Sequence, residues 1–138
     1  FVIVIDVTDK AENSDRMEIC FDHEKLDVYG ASIEFVRWAD ELLRLPKSLA
    51  VTNQLDWASA PIPLNFAEGN GKSTSAARCR CSDCARGSAL ECAACLDVFS
   101  AGKRIDCAEI GKAQLVRIVF PLSGLIRSAS LGGVYEDQ

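Results

Sequence analysis

The chain is short of several things, and each shortage narrows what it can be. Aromatic residues make up only 7% of its 138 residues, so a core has to be assembled from Leu, Ile, Val, Ala and Cys. It has one histidine, His23, set among Asp22, Glu24 and Asp27 at a predicted helix start. A Cys–His nucleophilic pair would need a thiol beside it, so a solvated surface residue is expected. Positive charge is not in surplus. The net charge is -5 and the pI about 4.9, unlike the basic face of a generic nucleic-acid binder. No apolar run approaches the roughly 20 residues that span a bilayer. Phe1 to Val7 is apolar but short, has no basic segment ahead of it, and runs into Thr8, Asp9 and Lys10, unlike a signal peptide. A soluble, cytoplasmic protein without a membrane partner is expected. Its seven cysteines, an odd number, are expected to be reduced thiols.

What remains is an ordinary globular mixture, 49% apolar and 25% charged, in a length that suits one domain. The charge is uneven. Residues 1–71 carry 6 Lys/Arg against 13 Asp/Glu, a net of -7, and residues 72–138 carry 9 against 7, a net of +2. Met17 is the only methionine. The β-branched stretch before it, Phe1 to Val7, reads as a strand, and Asp9 to Arg16 reads as a linker. Residues 1–16 are therefore taken as an N-terminal extension, either non-native or disordered material upstream of Met17 or a real strand that must pair with something.

From there the pattern is helical, and an all-α, up-down four-helix bundle over residues 17–131 is expected. The first helix is predicted over 24–45, capped by Asp22 and stopped by Pro46, with Leu26, Tyr29, Ile33, Val36 and Leu43 on one face. The second, over 48–68, carries Leu55, Ala58, Ile62 and Phe66, and Pro61 and Pro63 predict a kink or break. A loop follows, Gly69-Asn-Gly-Lys-Ser-Thr-Ser75, with Ser73 or Ser75 as a cap. The third helix, 76–99, has a stripe of small residues at Ala77, Cys81, Cys84, Ser88, Cys92, Cys95 and Phe99. The fourth, 106–129, is to face inward with Leu115, Ile118, Leu122, Leu125 and Ala129, interrupted near Pro121 and Gly124. Residues 132–138 are expected to fray.

Certain residues invite a chemical reading. Cys81-Ser-Asp-Cys84 and Cys92-Ala-Ala-Cys95 are two C-x2-C pairs, but on one helix they lie roughly 16 Å apart, too far for one zinc with bonds of about 2.3 Å. They are read as small core residues, and neither metal nor cofactor is expected. Gly69-Asn-Gly-Lys-Ser73 resembles the end of a phosphate-binding loop, yet Phe66 stands where the motif needs its first glycine and a helix precedes it. Carboxylates such as Asp40 and Glu41 read as a solvated face, with no pair in surroundings that would tune one against the other. Lys72, Arg78, Arg80, Arg86, Lys103 and Arg104 are the only basic concentration and the candidate RNA contacts, with Asp83, Glu91 and Asp97 interleaved.

Three segments resemble a known family. Phe21, Leu26, Val28-Tyr29 and Ala31 match its entry pattern. Ala60-Pro-Ile-Pro-Leu-Asn-Phe-Ala-Glu-Gly69 is similar to its signature Ser-Ile-Pro-x-Asn-Ile-Ala-Glu-Gly, and Ala85 to Glu91 matches its small-residue run. The family is that of the four-helix-bundle proteins of bacterial 23S rRNA intervening sequences, with relatives resembling the accessory variability determinant of diversity-generating retroelements. The resemblance implies a non-enzymatic bundle that assembles as a homo-oligomer, a ring of five, acting as scaffold or adaptor for RNA, ribosome or protein. It marks Ile62, Pro63, Asn65, Ala67, Glu68 and Gly69 as structural or interface residues. Asp56-Trp57, the extra Pro61, Cys81, Cys84 and Pro121 depart from the family pattern. Two rivals remain, an RNA- or ribosome-binding protein using the basic second half and a Cys-based metal or redox module.

Overall fold

The computed structural model describes residues 2–6, 17–44 and 49–136. Strand β1 (Val2–Asp6) pairs antiparallel with β2 (Met17–Phe21), Val2 opposite Phe21 and Asp6 opposite Met17. The strand-like stretch before Met17 thus finds its partner just after Met17. Asp9 to Arg16, read as a linker, and the two ends of the strand-like stretch, Phe1 and Val7, lie outside the described residues. A 3-10 turn (Asp22–Lys25) leads into helices α1 (Asp27–Leu43), α2 (Leu49–Ser59), α3 (Pro61–Asn70), α4 (Ser75–Ala101) and α5 (Ala108–Glu136).

The bundle is all-α, with α2 and α3 forming one broken second helix. The break falls at Ala60, where Pro61 and Pro63, two residues apart, withhold two donors from the preceding turn. Pro61 sits in the first turn of α3, the place a helix accepts proline at least cost. Going round the bundle, α1 neighbours the second helix and α5, and α4 neighbours the second helix and α5. The second helix and α5 therefore occupy opposite corners, as do α1 and α4. Among the described residues no helix is long and apolar enough to cross a membrane.

The core is built from Phe35, Leu55, Ile62, Leu96, Phe99, Leu115, Ile118 and Leu122, all buried. The second helix buries the stripe expected of it, Leu55, Ala58, Ile62 and Phe66. Elsewhere the inward face is rotated from the expected one. In α1 it is Val28, Ser32, Phe35, Ala39 and Leu42. Tyr29, Ile33, Val36 and Leu43 flank it, and Leu26 is exposed. Ser32 enters the core because its hydroxyl donates to the Tyr29 carbonyl at 2.7 Å, which satisfies it without water. In the first half of α4 the core takes Ser82, Ala85 and Ala89 in place of Ala77, Cys81, Cys84 and Ser88. In α5 Leu125 is exposed and Ala129 half-buried.

Boundaries were also corrected. Helix α1 begins five residues beyond Asp22, which belongs to the 3-10 turn. Thr74, not Ser73 or Ser75, caps α4, its hydroxyl accepting from Ala77 N at 3.2 Å. Pro121 does not interrupt α5. It frees the Arg117 carbonyl on an exposed turn that water reaches, so the cost is small. Helix α5 is assigned through Gly132-Gly133 to Glu136, and residues 137–138 lie outside the described residues. The α4–α5 turn closes on Arg104 N to Phe99 O at 2.9 Å and Lys103 N to Ser100 O at 3.0 Å, with Lys103 at φ 55 in the position glycine usually takes. Gly111, unremarked in the sequence, is a packing site. A Cβ there would lie 2.7 Å from Leu96 Cδ1 and closer still to the Trp38 ring, so α1, α4 and α5 meet where a side chain has no room.

Candidate functional site

The signature segment 60–69 lies at the joint of α2, α3 and α4. Ile62 and Pro63 are buried, and Ala67 is half-buried. The Asn65 amide donates to the Pro61 carbonyl, one turn back, at 2.8 Å, and so ties down the first turn of α3. Its partner is not the group freed by Pro63. Glu68 is exposed and pairs with Lys72 at 3.2 Å, a surface pair worth little. Gly69 is buried, and a Cβ on it would stand 2.7 Å from Cys81 Cβ. These residues hold the second helix against α4 and present no reactive group.

The cysteines divide. Cys92 and Cys95 are in the core, Cys81 packs on Gly69, and Cys84 is exposed. Helix α4 runs unbroken through both C-x2-C pairs, and among the described residues no three His, Cys, Asp or Glu come together to hold a metal. Burial, with smaller contributions from Cys95 and Glu91, pushes the Cys92 thiol up to about 12, and burial raises Cys95 as well. A thiol so held is inert. In Ellman's titration of the folded protein near pH 8, Cys84 is expected to react at the rate of a free thiol and Cys92 orders of magnitude more slowly. Equal rates would refute the core placement of Cys92. The linkage has a definite sign. Below the ordinary thiol value of 9 both states hold the proton. Between 9 and about 12 the unfolded thiol ionises while folded Cys92 does not, so stability falls with rising pH across that window.

The other titratable candidates are surface features. His23 is half-buried, not freely solvated, its ring 5.8 Å from Phe21 and edge-on to Tyr29 at 4.7 Å. Gly69 and Asn70 close helix α3, where a loop was expected, and only Gly71 to Ser73 follows it, with a helix and not a strand ahead. The basic residues are not brought together. Lys72 lies just before α4, Arg78, Arg80 and Arg86 lie in its first half, and Lys103 and Arg104 lie past its end. The 27 residues of α4 span about 40 Å, and even Arg86 and Lys103 lie about 25 Å apart along it. Arg86 is held by Asp83 at 2.7 Å. Arg78 is turned onto its own loop, donating to the carbonyls of Lys72 and Ser73 at 2.9 and 3.3 Å. Arg80 lines a cleft of about 660 Å³ between the start of α4 and the end of α5, with Asp83 beside it.

The sequence model described as "23S rRNA-intervening sequence protein" matches residues 24–115, two thirds of the chain, covering α1 to the first turns of α5 and the signature joint between them. The chain belongs to the 23S rRNA-intervening sequence protein family. No curated protein matches it.

For a member of this family the most informative surface is apolar, and the sequence reading missed it. On α1 the outward positions are Asp27, Glu34, Arg37, Glu41 and Arg44, a solvated face. On α4 the outward ridge at steps of three and four is Gly87, Leu90, Ala94, Val98 and Ala101, all exposed and without a charge over four turns. The acids that border it are drawn sideways, Glu91 accepting from Gln54 and Asp97 pairing with Lys112 at 2.7 Å. That contact raises the Lys112 pKa. Helix α5 shows Ala113, Val116, Phe120 and Gly124 outward, and the second helix shows Trp57 and Leu64. Phe120 is 77% exposed, Trp57 70% and Leu64 66%. Single exposed apolar residues are common, but here the exposed apolar residues line up along three of the four corners.

Proposed function

We propose that this protein is a non-enzymatic, ring-forming homo-oligomer, a helical scaffold or adaptor whose subunits meet through the apolar corners of the bundle. Five copies is the number the family resemblance implies. The observation that carries the reading is the contrast between α1, charged along its outward face, and α4, whose outward ridge from Gly87 to Ala101 is apolar and small. Small residues alternating with Leu90 and Val98 let a second helix approach closely. A helix that met only water would carry charge there, as α1 does. The polar groups at the signature joint are occupied in holding helices together, which favours a structural over a catalytic task. The splitting of the basic residues between the two ends of α4, several of them already paired, weighs against one continuous RNA-binding surface on a single chain.

Native mass spectrometry of protein purified without nuclease tests this. A multiple of the chain mass free of nucleic acid is expected, and Leu90→Asp should reduce it to the mass of one chain while leaving the helical circular dichroism unchanged. A wild-type monomer at micromolar concentration would overturn the scaffold reading. Co-purifying RNA whose retention falls steeply with salt would favour the RNA-binding alternative.

A further inference from the structure

The apolar corners at the second helix and at α5 are built differently from each other, and they correspond. The corner of the second helix presents Trp57 and Leu64 with carboxylates at both ends, Asp56 and Glu68, the latter exposed and held within the chain only by a surface pair with Lys72. The corner of α5 presents Phe120 and Gly124 with guanidinium groups at both ends, Arg117 and Arg127, neither of which has an ion pair among the described residues. One corner is apolar with an acidic border, the other apolar with a basic border. Two copies of the same corner would set like charges together.

Helix α4 serves as a ruler for comparing their heights along the bundle. Gln54 reaches Glu91 and Gly69 packs on Cys81, which fixes the level of the second helix. Lys112 reaches Asp97, and Ala129 and Ser130 share a cleft with Thr74 and Cys79, which fixes the level of α5. Both elements run in the same direction, opposite to α4. Interpolating between these anchors brings four pairs level to within one helical turn of about 5 Å: Asp56 with Arg117, Trp57 with Phe120, Leu64 with Gly124, and Glu68 with Arg127. Leu64, the projecting side chain, falls opposite a glycine.

We infer that the Trp57–Leu64 corner of one copy docks on the Phe120–Gly124 corner of the next, in a heterologous contact with the bundle axes parallel. This rests on the homo-oligomer reading and adds to it which faces mate. Because the two corners are on opposite sides of the bundle, a pair has one of each left over, one on each copy, and the contact propagates from copy to copy and does not stop at a pair. Bending toward α4 closes the series, packs the small-residue α4 ridges of neighbouring copies against one another on the inner side, where Leu90 is covered, and leaves the charged face of α1 outside in water.

Mixing experiments test the polarity of the contact. Trp57→Asp and Phe120→Asp change exposed residues and leave circular dichroism unaltered. Each alone is expected to weaken assembly about thirtyfold or more, the loss typical of a central aromatic anchor, and to run as a monomer. Mixed in equal amounts they should form a species of two chains and nothing larger, because each variant keeps the one corner the other needs. A mixture that stays monomeric, or single variants that keep the wild-type mass, would overturn the heterologous pairing while leaving the scaffold reading intact. A wild-type monomer would remove both. Charge reversal gives a second, independent check. Arg127→Glu should lower the assembly mass, and adding Glu68→Arg to the same chain should restore it. Failure of that rescue while wild type assembles would contradict the pairing.

Discussion

Ile118→Asp is expected to leave no folded, helical protein. Ile118 sits on α5 with no exposed surface, packed in the same core as Leu55 and Ile62. Removing it forfeits about 2 kcal/mol of apolar burial. The carboxylate that replaces it would have to be buried unpaired, at an effective cost of several kcal/mol, or take up a proton to avoid ionising. Single domains are stable by only about 5–15 kcal/mol, so one such change consumes most of that margin. Leu55→Asp acts on the opposite side of the same core and should do the same. The informative comparison is with Leu90→Asp, which places the same charge on an outward position of α4 and should lose assembly but not helicity. Far-ultraviolet circular dichroism on the three variants separates the two effects. Unchanged helical signal in Ile118→Asp and Leu55→Asp would contradict the bundle itself.

The comparison also shows what kind of information the sequence carries. The inward stripe of the second helix, Leu55, Ala58, Ile62 and Phe66, was legible residue by residue, although Trp57 and Leu64 form a second apolar stripe on its outward side. Helix α1 was legible as a helix but not in its rotation. Its apolar arc runs from Val28 through Phe35 to Val36 and Leu43, wide enough that two stripes fit. The deciding residue, Ser32, looks polar and becomes buried only by bonding its own backbone. The first half of α4 failed for a related reason. Ala, Ser and Cys differ too little in apolarity for Ser82, Ala85 and Ala89 to stand out against Ala77, Cys81 and Cys84.

The exposed ridges were illegible for the opposite reason. Leu90, Val98, Val116 and Phe120 are as apolar as core residues, and periodicity counts apolar positions without saying whether they face this chain or another. Only the packed bundle separates the two. Pro121 misled through its local rule. The rule holds, since the donor is missing, but the freed carbonyl falls on the exposed side of α5 where water satisfies it. The family signature was readable as a pattern, and its physical reason became visible only when α3 and α4 were brought together.

That reason leads to the second large effect, at Gly69. Its φ is not positive, so no unusual backbone angle calls for glycine, and helix propensity alone would favour alanine by up to about 1 kcal/mol. Only the contact opposes it. A Cβ at this position would stand 2.7 Å from Cys81 Cβ and 3.5 Å from the Arg78 carbonyl. Neither is the tip of a flexible side chain, so the two helices have to move apart. Gly69→Ala is expected to cost about 1–3 kcal/mol as an overpacked contact, and Gly69→Val more, since its branched Cβ adds two methyl groups to the same gap. Urea denaturation measures both. The cause is isolated by moving the space across the interface. Cys81→Gly alone removes a half-buried thiol and some helix propensity. Combined with Gly69→Ala it gives the new Cβ its room, so the double variant should be more stable than the sum of the single losses by 1 kcal/mol or more, at roughly the strength of coupling between touching residues. Additive losses would mean that Gly69 is needed for something other than the approach of α4. A coupled result would show that the glycine of the signature is fixed by the distance between two helices, with the rest of the segment, Pro61 to Glu68, serving to bring the second helix to that distance.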